Sequence, residues 1–207
     1  MNKVDLKRIL KKVEKTARYL GNEINSIHKD TSDESLIRYA QCFPDLYEVG
    51  MSHLGSHILY DVINRDEKIF CERVYAPAVD MENMMREKNI PLFALESREP
   101  ITNFDVIAFT LQYELSYTNI LNMLDLANVP ILRTERKLDD PFILVGGPCA
   151  YNVEPMADFV DIVVLGEGEE VNLEILNAYK EWKKNKTTRE DFLYQISSIE
   201  GVYIPSF

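Results

Sequence analysis

Between Leu36 and Trp182 short apolar, β-branched runs alternate with stretches of helical periodicity. The runs are Leu36–Phe43, Ile69–Val74, Val106–Phe109, Phe142–Val145 and Ile162–Leu165. Segments this apolar read as strands buried on both faces of a parallel sheet. Leu54, Ile58, Leu59, Val62 and Ile63 share one helical face, and Ile120, Met123, Leu124 and Ala127 share another. Val171, Ile175, Leu176, Tyr179 and Trp182 form a third. A weaker helical stretch lies near Asp80–Lys88. Five strands with intervening helices predict a doubly wound α/β domain over residues 36–183.

Both flanks differ from this body. Leu6, Ile9, Leu10, Val13, Ala17 and Leu20 recur at helical spacing, with Gly21 as a stop, so residues 1–30 read as an amphipathic helical extension. After Trp182 come a polar break from Lys183 to Thr188, a short helical stretch, and Gly201-Val-Tyr-Ile-Pro205, which reads as an incoming strand. Residues 184–207 are therefore expected to be a linker, and an ending on a β-type run suggests a piece of a longer protein.

Charge separates extension from body. The 207 residues carry a net charge of −11. Residues 1–30 hold eight basic and four acidic side chains, and the remainder hold 15 basic and 30 acidic. A basic helix of this kind can bind anionic membrane or nucleic acid, but the acidic body favours docking of its apolar face on the domain itself. The acidic balance argues against gripping nucleic acid by charge. No apolar run is long enough to span a bilayer, and the polar N-terminus has no signal-peptide core, so the expected compartment is the cytoplasm. Cys42, Cys71 and Cys149 are odd in number and widely spaced, which suits neither a disulfide framework nor a metal-ligand set.

Open α/β sheets bind ligands at the carboxyl ends of their strands, which here are the loops 44–57, 110–118, 146–156 and 166–171. The first, Pro44-Asp-Leu-Tyr-Glu-Val-Gly-Met-Ser-His-Leu-Gly55, has Gly50 and Gly55 for close backbone approach and Ser52 as a helix cap. Its Gly50-Met-Ser-His-Leu54 resembles a hydrolase nucleophile elbow, but Leu54 replaces the second glycine and no later histidine completes a triad. The second, Thr110-Leu-Gln-Tyr-Glu-Leu-Ser-Tyr-Thr118, offers hydroxyls and amides, with Ser116 as a cap. In the third, Gly146-Gly-Pro-Cys-Ala-Tyr151, adjacent glycines bare the backbone at a strand end. The fourth, Gly166-Glu-Gly-Glu-Glu-Val171, is an incomplete dinucleotide fingerprint in the wrong place, after the last strand of the alternation. In each loop the same residues also suit an ordinary strand-to-helix turn.

The four loops contain no Lys or Arg, yet carry Asp45, Glu48, Glu114, Glu154, Glu167, Glu169 and Glu170. A polyphosphate ligand normally recruits a basic residue, so ATP-type and NADP-type readings lose ground. A large, weakly charged ligand rich in amides suits these loops better. The acidic constellation of a phospho-receiver is missing, because the third and fifth strands run into Thr110-Leu-Gln and Gly166-Glu-Gly. The Ser/Thr-rich phosphate loop of a flavodoxin is also missing, since Pro44–Gly50 has neither residue.

Four blocks in order carry a family likeness: Met51-Ser-His-Leu-Gly55, Asp105-Val-Ile-Ala-Phe-Thr110, Val145-Gly-Gly-Pro-Cys149, and Val160-Asp-Ile-Val-Val-Leu-Gly-Glu-Gly-Glu169. Together they resemble the N-terminal cobalamin (B12)-binding domain of B12-dependent radical SAM proteins, over about residues 36–207. The longer stretches Phe43–Gly55 and Leu111–Asp125 look like a functionally obscure subgroup of that family. The resemblance implies a flavodoxin-like, five-stranded parallel sheet, the Rossmann-like B12-binding fold. Cobalamin would lie over its carboxyl edge, against Gly50, Met51, Ser52, His53, Leu54 and Gly55 of the first turn. Thr110, Leu111, Gln112, Tyr113 and Ser116, then Gly146, Gly147 and Pro148, and finally Gly166, Glu167 and Gly168 would complete the site.

Two departures accompany the resemblance. B12 carriers that supply an axial histidine do so from Asp-x-His-x-x-Gly, whereas Met51 stands at the aspartate position and His53 lies two residues before Gly55. No histidine–cobalt bond is therefore expected. The three cysteines cannot form the Cys-x-x-x-Cys-x-x-Cys that holds a [4Fe–4S] cluster, so S-adenosylmethionine and the cluster belong to a C-terminal radical SAM barrel outside this chain. The reading is a cobalamin module, inactive alone, of a larger methyl-transferring or rearranging enzyme. The alternative is an α/β interaction domain of the same parent that no longer binds cobalamin.

Overall fold

The structure, a computed structural model, describes residue 6 and residues 9–207. Its strands are β1 (Ile37–Phe43), β2 (Ile69–Tyr75), β3 (Val106–Thr110), β4 (Phe142–Gly146), β5 (Ile162–Val164) and β6 (Val202–Tyr203). The helices are α1 (Tyr47–Gly50), α2 (Leu54–Asn64), α3 (Val79–Lys88), α4 (Tyr117–Leu126), α5 (Gly168–Asn185) and α6 (Arg189–Ile196). All five predicted strands are present, with ends shifted by a residue or so. The strands form one sheet in the order β2-β1-β3-β4-β5-β6, parallel throughout except for β6, which runs antiparallel to β5.

The period-2 alternation of a strand sends successive side chains to opposite faces, and both faces are covered. Ala40, Cys42, Ile107, Phe109, Ile143 and Val145 pack with Met81 and Met85 of α3 and Ile120, Met123 and Leu124 of α4. Tyr39, Cys71, Ala108, Phe142, Leu144 and Val164 pack with Tyr60 and Ile63 of α2 and Ile175, Tyr179 and Trp182 of α5.

Two expectations need correction. The domain has six strands rather than five, and residues 184–207 are folded into the body rather than forming a linker. Thr188 caps α6 with a reciprocal capping box to Asp191. Phe192, Leu193 and Ile196 are buried against the sheet, and Ile204 follows them. Phe192 sits 4.8 Å from Phe142 and 5.5 Å from Trp182, ring centroid to centroid, in an aromatic cluster that a linker would not build.

The N-terminal segment does dock on the body, through buried Leu6, Ile9, Val13 and Tyr19, but not as one helix. Where described, it makes a turn at 9–12 and a 3-10 turn at Thr16–Tyr19. Lys15 leaves the helical region at φ −124°, ψ 83°, because tertiary bonds claim the chain there. The Glu14 N–H donates to Asp80 Oδ2 at 2.7 Å, and Arg18 and Lys15 both bind Glu48. Ala17 and Leu20 are left exposed, while Tyr19 takes the buried position. The rest of the expected helix falls on residues 1–5, 7 and 8, outside the described residues.

If residues 184–207 are integral, Phe192→Ala should cost about 3–5 kcal/mol in denaturant unfolding, with one cooperative transition. A loss within about 0.5 kcal/mol would show that this segment is a peripheral tail.

Candidate functional site

Each parallel connection returns the chain to the same sheet edge, so every strand-to-helix turn lies at the carboxyl ends of the strands. The β1–α2–β2 connection runs to one side of β1, and the strands after β3 are added on the other. A crevice opens at such a reversal. There, between the sheet and the N-terminal ends of α2 and α5, lies a cavity of about 390 Å³, within the usual range for ligand pockets. A larger hollow of about 590 Å³ lies at the opposite edge, among Asp33, Arg38, Glu99, Asp105 and Lys183. Arg38 there is bound to Glu99 and Lys183 to Asp105, so those charges already satisfy one another.

The 390 Å³ cavity draws on all four predicted loops. From the first come His53 and Gly55, from the second Thr110 and Gln112, from the third Gly146, Gly147 and Pro148, and from the fourth Gly166, Glu167 and Gly168. The glycines matter sterically. A Cβ on Gly146 would meet only Val164, at 3.6 Å, and one on Gly166 would meet nothing within 4 Å, so these positions border open space. Gly147 and Gly166 have φ of +104° and +96°, a region that favours glycine, and at Gly147 a Cβ would also approach the Leu111 carbonyl oxygen to 3.0 Å. Two backbone bonds, Leu111 N–H to the Gly146 carbonyl at 2.7 Å and Cys149 N–H to the Leu111 carbonyl at 3.0 Å, join the second and third loops.

Several predicted residues do not line the cavity. Gly50 is buried beneath the Tyr75 ring. The Met51 sulfur lies 3.1 Å from Tyr75 Oη and 3.4 Å from Arg73 Nη1. Ser52 donates back to the Val49 carbonyl, and Leu54 is exposed. Leu111 is buried and acts through its backbone, Tyr113 donates to Asp45, and Ser116 donates to the Tyr113 carbonyl.

The caps also differ from expectation. His53, not Ser52, caps α2: its Nδ1 accepts the Ser56 N–H at 3.1 Å and lies 2.8 Å from Ser56 Oγ. Ser116 occupies the cap position of α4 without making a capping bond.

Sequence reasoning missed the cavity floor. Tyr39, Gln41, Ser56, Leu59, Leu144, Val164 and Asn172 all line it. The Tyr39 hydroxyl donates to Asn172 Oδ1 at 3.0 Å, and Asn172 Nδ2 donates to the Gly168 carbonyl at 2.7 Å. Gln41 Nε2 donates to the Ser56 carbonyl at 2.8 Å, while Gln41 Oε1 accepts from the Cys71 thiol at 3.4 Å. Burial pushes the Tyr39 phenol well up, so it stays a neutral donor. The available signal was polarity out of place, since Gln41 interrupts a wholly buried strand. The lining holds Glu167 and Glu169 and no Lys or Arg, as the loop charges implied.

With this geometry in hand, the family described as radical SAM proteins, N-terminal, matches residues 55–205. The chain belongs to that family. It is also 30% identical over 186 residues to an uncharacterized protein of Methanocaldococcus jannaschii, covering 80% of this chain and 36% of that protein. The chain thus spans about a third of the length of the curated relative it matches. No solved structure gives a significant match. Among the described residues, no helix is long and apolar enough to cross a membrane.

His53→Ala should destabilise the fold by about 0.5–2 kcal/mol through loss of the α2 cap, read as a lowered midpoint in urea. No change in midpoint would contradict the capping role.

Proposed function

We propose that this domain is the cobalamin-binding module of a larger radical SAM protein. It would hold the corrin over the carboxyl edge of the sheet and present it to a catalytic barrel in the rest of the polypeptide. That barrel would carry S-adenosylmethionine and a [4Fe–4S] cluster. The observation that carries the reading is the cavity at the strand-order reversal, walled by glycines and free of basic side chains. The order β2-β1-β3-β4-β5 is also that of a flavodoxin-like sheet, which supports a Rossmann-like B12-binding fold.

The residues present fit such a group. Corrin carries amide side chains and a single phosphodiester, which acidic loops without Lys or Arg tolerate better than a polyphosphate. A nucleotide tail would enter between α2 and α5, along Gly146 and Gly166, where the absence of side chains leaves room. His53 fits the role of a helix cap better than that of a cobalt ligand, because its Nδ1 already accepts the Ser56 N–H. When bound, the corrin cobalt would supply methyl-transfer or radical-rearrangement chemistry. This chain's own part is to bind and orient the group and to keep water from its buried side.

Purified protein mixed with hydroxocobalamin should retain colour through gel filtration. Gly146→Leu, which fills the crevice without demanding a left-handed backbone, should weaken binding by at least about tenfold. His53→Ala should leave the absorption spectrum of bound cobalamin unchanged. Colourless wild-type protein would favour the interaction domain that no longer binds a corrin, and a clear spectral shift in His53→Ala would show that the histidine ligates cobalt.

A further inference from the structure

The floor of the cavity carries two amides whose orientation is fixed. Backbone carbonyls can only accept, so the Gln41 NH2 must face Ser56 and the Asn172 NH2 must face Gly168. The two amide oxygens are engaged as well, by the Cys71 thiol and the Tyr39 hydroxyl. Each side-chain amide has two N–H groups, and among the described residues each NH2 donates only one hydrogen bond. One N–H therefore remains on each side chain, held in direction by the bonds its neighbours make. Gln41 and Asn172 are both buried. Leu59, Leu144 and Val164 supply apolar walls to the same cavity.

Apolar walls beside oriented donors suit a flat heteroaromatic ring with acceptor atoms on its inner edge. Resting on the cobalamin-type reading above, we propose that the cavity selects a corrinoid whose nucleotide tail ends in a purine, such as adenine, over one ending in dimethylbenzimidazole. Adenine offers two ring nitrogens as acceptors on its six-membered ring. Dimethylbenzimidazole offers two methyl groups and C–H bonds there, and would cover the Gln41 and Asn172 donors without pairing them. A buried donor left unpaired costs about a tenfold or greater loss in affinity. Sites built to hydrogen-bond a group discriminate strongly against the analogue that lacks it.

The test compares three corrinoids on the same protein by titration calorimetry: the adenine-tailed form, cobalamin, and tail-less cobinamide. The adenine-tailed form should bind at least about tenfold more tightly than cobalamin, and cobinamide more weakly than either. Gln41→Leu and Asn172→Leu, checked for folding by thermal melting, should each narrow the adenine preference several-fold. Equal or tighter binding of cobalamin overturns the inference, and so does a preference that persists in both variants. Cobinamide binding as tightly as the tailed forms would also overturn it, by placing the tail outside the cavity. In each of these cases corrinoid binding itself still stands. Failure of all three to bind would overturn the corrinoid reading and this inference together.

Discussion

Parallel strands cannot be joined by tight turns. Each pair needs a crossover that returns the chain to the edge it started from, and the rest of this molecule follows from that constraint. Turns far apart in sequence, after Phe43, Thr110, Gly146 and Val164, converge on one edge of the sheet. Because β1 is followed by a strand on one side while later strands are added on the other, two neighbouring turns diverge and leave a crevice. The cavity needs no dedicated architecture, only small residues where the strands end.

A sheet of this kind has an edge to protect, and the β2 edge is closed by charge. The segment after α3 lies along it: the Leu95 N–H donates to the Arg73 carbonyl, and the Glu96 carboxylate accepts the Arg73 N–H at 2.8 Å. The Glu72 carboxylate accepts the Ser97 N–H and pairs with Arg38, whose guanidinium also lies 4.4 Å above the Phe104 ring. Burial pushes the Glu96 carboxyl up, to about 7, against the opposing pull of Arg73. Arg73 also binds Glu23, and Glu23 accepts the Tyr47 hydroxyl at 2.9 Å. This chain of contacts runs from the protected edge to the first turn of the site. Arg18 holds the Glu48 carboxyl in α1 low, at about 2. The basic extension therefore straps the first loop from outside the sheet while its apolar residues join the core.

Family membership and cavity geometry bear on different parts of the proposed function. The family match concerns the N-terminal portion of radical SAM proteins, and the matched relative extends well beyond the region this chain covers. The cavity is local to this domain. Its acidic lining narrows the ligand class independently of any relative, because the cost of placing a polyphosphate beside carboxylates does not depend on ancestry.

The strands and most helices were legible in the sequence because their signals are local. Runs such as Phe142–Val145 have nowhere to go but a doubly covered sheet, and the spacing of Ile175, Tyr179 and Trp182 admits only one helical face. The loop glycines and the missing Lys and Arg were equally readable. Tertiary structure decided the rest. The N-terminal periodicity was genuine, but bonds to Asp80 and Glu48 broke the helix that it favours. The tail looked like a linker until Phe192 found Phe142, far earlier in the chain. Within the first loop, residues that are neighbours in sequence point in opposite directions: His53 reaches the cavity while Met51 turns to Arg73 and Tyr75. Local sequence sets which residues prefer to be extended, helical or turned. Which side chains meet across strands and helices is set by packing between distant segments, and the polar floor of this cavity exists only once β1 and α5 are brought together.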